Sequence, residues 1–244
     1  MKTLQYFLYS LLFVSVSAYA QNEIKPERKP GHTNQNKFKQ LYDEFATPNM
    51  FRTGSGAPGP AYYQQQADYK MDIEIDDVDA KLYGSETITY TNNSPDELKY
   101  LWVQLDQNMR ARDSKTPLIN STRIGPATSS SRAVNSYLNE SFDGGFNIEY
   151  VKDINDKDLP HMINRTMMRV ELPTPMKTGD KFSFKIKWWY NINDHVKDGG
   201  RSGYEYFEEN DNRIYVMAQF YPRMAVYNDV EGWQNSQFWG RDEF

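Results

Sequence analysis

In several segments between Gln66 and Ile192 the apolar residues of this chain recur at every second position, and that period fixes the fold class before anything else is considered. Tyr69, Met71, Ile73 and Ile75 alternate with Lys70, Asp72, Glu74 and Asp76. Successive side chains of an extended strand point to opposite faces, so this pattern describes a strand with one buried side. The acidic run Asp76-Asp77-Val78-Asp79 makes a turn, and Leu82 to Tyr90 returns with Ile88 and Tyr90 set against Thr87, Thr89 and Thr91. The two segments form a long hairpin. Lys181 to Ile192 carries the strongest alternation: Phe182, Phe184, Ile186, Trp188 and Tyr190 share one face, which is expected to be buried.

Further strands emerge by the same reasoning. Tyr100 to Leu105 places Leu101, Val103 and Leu105 on one face and Trp102 on the other. Asn147 to Ile154 and Thr166 to Leu172 read as strands, the second stopped by Pro173 and Pro175. Tyr204 to Glu208 and Arg213 to Met217 pair around Asn210-Asp211-Asn212. Residues 107–145, rich in Ser, Thr, Asn and Arg, read as an excursion with a short strand near Leu118 to Ile124. Eight or more strands with antiparallel turn chemistry and few helices predict an all-β domain. It is either a sandwich or a saddle of curved sheets.

The N-terminal part is different. Lys2, an apolar core from about Tyr6 to Val16 and the Ala18-Tyr19-Ala20 pattern read as a secretory signal over residues 1–20. That core is too short to span a bilayer comfortably. The expectation is export to the periplasm or beyond, with no membrane contact after cleavage. Residues 21–60 form a polar lead. Within it, Phe38, Leu41, Tyr42 and Phe45 mark one face of a short helix over Asn36 to Phe45. Gly54-Ser55-Gly56-Ala57-Pro58-Gly59-Pro60 reads as a linker, because it lacks the Lys-Ser/Thr ending of a phosphate loop and no strand precedes it. The β domain occupies residues 61–244.

Composition removes several functions. Net charge is −5 with both signs mixed along the chain. No basic face is available to neutralise phosphates, so nucleic acid is not an expected partner. The absence of cysteine excludes a disulfide scaffold, a cysteine nucleophile and a thiolate metal site. The histidines are His32, His161 and His195, and none has a second histidine four residues away, the spacing a zinc-binding helix requires. His161 is expected in a turn after Pro160, and His195 in a polar loop. No Gly-x-Ser-x-Gly elbow is present, and Ser129 to Ser131 reads as loop.

Several segments, taken in order, resemble the N-terminal β domain of the aminopeptidase N family of zinc metallopeptidases. They are the hairpin from Tyr69 to Thr91, Leu101-Trp102-Val103-Gln104-Leu105, Leu172-Pro173-x-Pro175 with Gly179 and a strand ending Trp188-Trp189-Tyr190, and Gln219-Phe220-Tyr221-Pro222-Arg223. The resemblance covers roughly residues 60–244. It implies a saddle of β-sheets whose closing Gln-x-Glu segment reaches into the active site and helps hold the free amino group of a peptide. Gln219 stands at the family's glutamine. Tyr221 stands where the family carries an acidic or amide residue, which replaces a charge with a hydroxyl.

The resemblance therefore implies substrate-binding roles for Gln219 and Tyr221, peptide substrates, and zinc in the complete enzyme with no ligand in this chain. The Gly-x-Met-Glu-Asn strand, the His-Glu-x-x-His helix, its third Glu ligand and the transition-state Tyr are not found in these 244 residues. They are expected in a C-terminal catalytic domain beyond Phe244, so this chain alone is expected to be inactive. Two other readings of the residues stand beside this one: a stand-alone secreted β-sandwich module touching peptide or glycan through Trp233 and Trp239, and a structural or adhesive surface protein.

Overall fold

The alternating segments pair as two four-stranded antiparallel sheets. The computed structural model describes residues 48–116 and 142–240. The first sheet has the order β1-β2-β7-β4, from Gln66–Asp76, Lys81–Thr91, Lys181–Asn191 and Asn147–Asp153. The second has the order β10-β3-β6-β5, from Arg223–Met224, Leu98–Gln104, Met167–Met176 and His161–Asn164. Two hairpins complete the set: β8 (Gly203–Phe207) with β9 (Asn212–Val216), and β11 (Tyr227–Asn228) with β12 (Gly232–Trp233). The all-β class is as the alternation predicts. The signal segment, the helix over Asn36 to Phe45, the strand near Leu118 to Ile124 and Ser129 to Ser131 lie outside the described residues. Among the described residues no helix is long and apolar enough to cross a membrane.

One core joins the two sheets. Leu82, Ile88, Phe184, Ile186 and Trp188 from the first sheet and Leu101, Val103, Met168 and Val170 from the second are all fully buried in it. The central strand β2 alternates without interruption from Leu82 to Tyr90, its even-numbered residues inward. On β7 the predicted face is buried from Phe184 to Tyr190, with Phe182 half-buried at the end. Burial of such large apolar side chains is the main stabilising term, each contributing about 2–3 kcal/mol. Leu101, Val103 and Leu105 are buried and Trp102 is half-buried on the opposite face, as their spacing requires.

Close packing decides one position outright. Gly84 lies opposite Trp188 across β2 and β7, and the indole lies so close that a Cβ at residue 84 would strike its ring. Glycine is required at 84 by space, not by backbone dihedral.

The structure departs from the sequence reading at several positions. Strand β6 runs through Pro173 and Pro175 to Met176. Its register with β3 shifts between Tyr100 and Leu98, so both prolines sit where the ladder is irregular and their missing N–H groups are not needed. His161 begins the edge strand β5 and is not in a turn; its Nδ1 lies 2.9 Å from the Leu159 carbonyl oxygen. His195 opens a one-turn helix, α1 (His195–Asp198), whose cap is the Asp194 carboxylate accepting from Val196 N and Lys197 N. The Gly54–Pro60 run closes into a loop: Thr53 N donates to Ala57 O and Gly59 N to Phe51 O, and Arg52 forms an ion pair with Asp229. Strand β1 is buried less than its pattern implies, because it is an edge strand: Ile73 and Ile75 are 39% and 38% exposed.

Gly84→Ala is expected to lower the free energy of unfolding by about 2 kcal/mol or more, the cost of overpacking a filled core. Denaturant titration of both proteins measures this. The double variant Gly84→Ala/Trp188→Leu, which frees the space, should lose less than the sum of its parts.

Candidate functional site

The segment Ala218 to Met224 leaves β9 and crosses the edge of the core before pairing with β3 as β10. Its backbone is tied to neighbours along most of its length. Ser202 Oγ accepts from Ala218 N at 2.8 Å, and the Ala218 carbonyl accepts from Gln107 Nε2 at 2.9 Å. Trp188 Nε1 donates to the Phe220 carbonyl at 3.3 Å, and Tyr69 OH accepts from Met224 N at 2.9 Å. Arg223 Nε donates to Asp106 Oδ2 at 2.9 Å, and that carboxylate is almost wholly buried. An ion pair removed from water in this way holds the segment to the 3-10 turn Asp106–Arg110.

Gln219 is the strained residue of this segment. Its φ is 51°, in the left-handed region that costs a residue with a Cβ about 1–2 kcal/mol. Strain of this kind persists only where the surroundings impose it. The Ser202, Gln107 and Trp188 bonds fix the flanking peptides and so impose it at 219. Gln219 lines a cavity of about 390 Å³ together with Met109, Arg110, Arg201 and Phe238.

Arg110 is itself positioned. Its Nη1 donates to Gln107 Oε1 at 3.1 Å, so one buried amide clamps both the arginine and the Ala218 carbonyl. Burial pushes the Arg110 pKa down, and Tyr190 and Asp198 oppose that shift. Gly200 makes room for the guanidinium, since a Cβ there would strike Arg110 Nη2. The cavity thus presents guanidinium and amide donors. It can bind a carbonyl or an anionic group, and no carboxylate or imidazole among its lining residues could serve as a general base.

Tyr221 goes the other way. Its ring packs edge-on against Tyr69 at 5.5 Å between centroids and against Phe220 at 5.1 Å. Gln219 and Tyr221 are therefore not brought together on one cavity: the former faces the arginine-lined space, the latter an aromatic cluster. Near that cluster lies Glu86, on the inward face of β2, 3% exposed, with no hydrogen-bond partner for either carboxylate oxygen. Burial alone raises its pKa from 4.5 to about 9, so the group is neutral at pH 7. Burial also raises the Tyr69 phenol to about 12, with Glu86 and Tyr221 adding to the effect.

Sequence reasoning singled out Gln219 and Tyr221 but missed Gln107, Arg110 and Ser202, which hold and line the site. Arg110 and Gln107 sit three residues apart in an unpatterned polar stretch, where no periodic signal marks them. Among the described residues no group of His, Cys, Asp and Glu is arranged to hold a metal ion. His161 and His195 lie on separate elements, β5 and α1. The described residues do not fit a zinc centre.

No protein-family model matches this chain, and no curated protein matches it. Among solved structures, it is similar to an M1 zinc metallopeptidase from Deinococcus radiodurans, seen free and as a mutant bound to a Tyr-Ser-Ala substrate, at 11% identity and a TM-score of 0.33. The match with the substrate-bound mutant covers 56% of this chain and 23% of that one. A two-domain M1 zinc metallopeptidase mutant bound to L-tryptophan gives 12% identity and a TM-score of 0.34, covering 61% of this chain and 26% of that one. This chain thus spans about a quarter of the length of the structures it resembles. Likeness of this degree does not assign an activity.

Gln219→Gly is expected to raise stability by about 1 kcal/mol, because glycine adopts the left-handed region freely; thermal melting reads this out. Glu86→Gln tests the buried carboxyl. Its native pKa lies above its unfolded value, so its contribution to stability is complete below about 4.5 and is lost progressively as pH rises towards 9. The variant should match the parent near pH 4.5 and exceed it by roughly 3 kcal/mol at pH 7. Denaturant titrations at both pH values check this.

Proposed function

We propose that this chain is the scaffold and substrate-cleft wall of an exported zinc-dependent aminopeptidase, with hydrolysis performed by a further, C-terminal catalytic domain. The observation that carries the reading is Gln219: a glutamine held in left-handed geometry on a tied-down segment, at the position where the ordered motifs resemble the amine-binding segment of the aminopeptidase N family; the arginine-lined cavity beside it suits a carbonyl of the peptide and not its ammonium. A rigid, strained binding residue on a tied-down segment suits a site that must meet a substrate without rearranging. Tyr221 packs on Tyr69 and Phe220 away from the Gln219 cavity and leaves the family's acidic position without a charge, which favours a broader or altered peptide preference. Zinc belongs to the catalytic domain of the complete enzyme.

Two further observations support the reading. The β8–β9 hairpin exposes Tyr206, Ile214 and Val216 at 49%, 55% and 60%, apolar surface of the kind a neighbouring domain covers. The Ala-x-Ala pattern at residues 18–20 supports export. The alternative of a binding module that displays Trp233 and Trp239 is less well supported: Trp233 packs against Tyr90 and Tyr227, and Trp239 is half-buried with Arg165 over its ring.

The test is enzymatic. Residues 21–244, supplied with zinc, should not turn over an aminoacyl-coumarin reporter. The polypeptide encoded by the reading frame continued past Phe244 should do so in a chelator-sensitive manner, with Gln219→Ala raising KM about tenfold or more. Chelator-sensitive turnover by residues 21–244 alone, or an extended polypeptide without turnover, would overturn the proposal.

A further inference from the structure

The peptidase reading leaves one charge in the Gln219 cavity without a task. Arg110 and Arg201 are the charged residues of its lining, and no Asp or Glu joins them there. Arg201 is engaged in an interaction of its own and adds only positive field. Arg110 is different. It is half-buried, and its Nη1 donates to a neutral group, the Gln107 amide oxygen. Among the described residues no carboxylate forms an ion pair with it; Tyr190 and Asp198 act on its charge only through space. A cation taken partly out of water without a counter-ion costs free energy that a bound anion would recover.

The guanidinium is held ready for such a ligand. Both ends of the buried Gln107 amide are in use, one on Arg110 and the other on the Ala218 carbonyl, so the amide cannot turn away. Arg110 Nη2 lies beside Gly200, where a Cβ would meet it at 2.6 Å, and Gly200 itself lines the cavity. The missing side chain opens the space next to that nitrogen. Nη2 makes no hydrogen bond among the described residues and is not sealed from solvent. A donor fixed before the ligand arrives loses little entropy on binding.

The other walls select among anions. Met109 and Phe238 line the cavity with apolar surface, the Met109 methyl lying against Gly240. Inorganic phosphate would turn hydrated oxygens towards these side chains. A backbone carbonyl would accept one N–H and leave the charge of Arg110 unmatched. A carboxylate on an apolar stem meets both surfaces: its planar pair of oxygens suits a guanidinium, and its stem suits methionine and phenylalanine.

We infer that this cavity binds the carboxylate of an organic acid with a short apolar stem, held by the guanidinium of Arg110. The binding itself stands on the cavity alone. Its consequence for substrates rests on the peptidase reading: the favoured peptides would be those that bring a carboxylate to this wall, either the terminal carboxylate of a short peptide or an acidic side chain.

Two-dimensional amide NMR titration of the chain at pH 7 tests this. The probes are the sodium salts of acetyl-leucine, a terminal carboxylate, and of acetyl-glutamic acid amide, a side-chain carboxylate. Acetyl-leucine amide is the neutral analogue, and inorganic phosphate and sodium chloride are the anion and ionic-strength controls. At least one of the two acids should shift the Gly200, Gln219 and Gly240 amides saturably, and which one does so identifies the source of the carboxylate. The neutral amide should bind about tenfold more weakly or not at all, and Arg110→Gln should weaken the acid about tenfold or more. The comparison of ligands on the parent chain decides the matter even if that variant folds poorly. Equal binding of the neutral amide, phosphate binding as tight as the acids, no saturable shift with either acid, or affinity unchanged in Arg110→Gln would each overturn the inference. None of these results would alter the turnover test of the peptidase reading, so the two can fail separately.

Discussion

Trp188 is the side chain on which the rest of this structure turns. Its indole lies over Gly84 in the middle of the first sheet, fully buried, and its one polar atom leaves the core to hold the Phe220 carbonyl. A buried indole brings a large apolar area and a single donor that must find a partner. The partner is the backbone of the segment that carries Gln219 and Tyr221. Core packing and site geometry are thus one arrangement: without glycine at 84 the ring could not occupy its place, and without the ring Phe220 would lose its anchor.

Around that anchor the site is built from polar groups that are individually modest. Gln107 joins Arg110 to Ala218, Ser202 bonds the same peptide chain, and Arg223 joins Asp106. Each such bond contributes about 1 kcal/mol, more where charge is involved. Together they enforce a left-handed residue that would relax if left free. The buried carboxyl of Glu86 is the opposite case. Neither of its oxygens has a hydrogen-bond partner, and burial favours its neutral form. Its place near Tyr69 sets a proton-bearing group close to the aromatic cluster on which Tyr221 packs.

The strands were legible because their signal is local. Alternation at Leu82–Tyr90 and Phe182–Tyr190 survives in any context where one face is covered, and the observed strands keep it. The departures come from positions whose fate depends on a partner strand. Pro173 and Pro175 stop a strand only if their neighbours need the missing N–H, and the register shift opposite Tyr100 removes that need. Gly54 to Pro60 reads as a linker until Arg52 meets Asp229 across the chain. The site was legible only in part, since Gln219 belongs to an ordered set of motifs whereas Gln107, Arg110 and Ser202 carry no pattern.

The sequence by itself determined the all-β class, the long strands and the inward faces of β2 and β7, because a period of two leaves one way to bury the apolar residues. It also determined that no thiol chemistry is available. Only the tertiary structure decided that Gln219 and Tyr221 face different surroundings, that Glu86 is enclosed without a partner, and that Arg110 and Gln219 share one cavity. These are facts of juxtaposition between residues up to about 130 positions apart, set by how two sheets pack, and no local pattern records them.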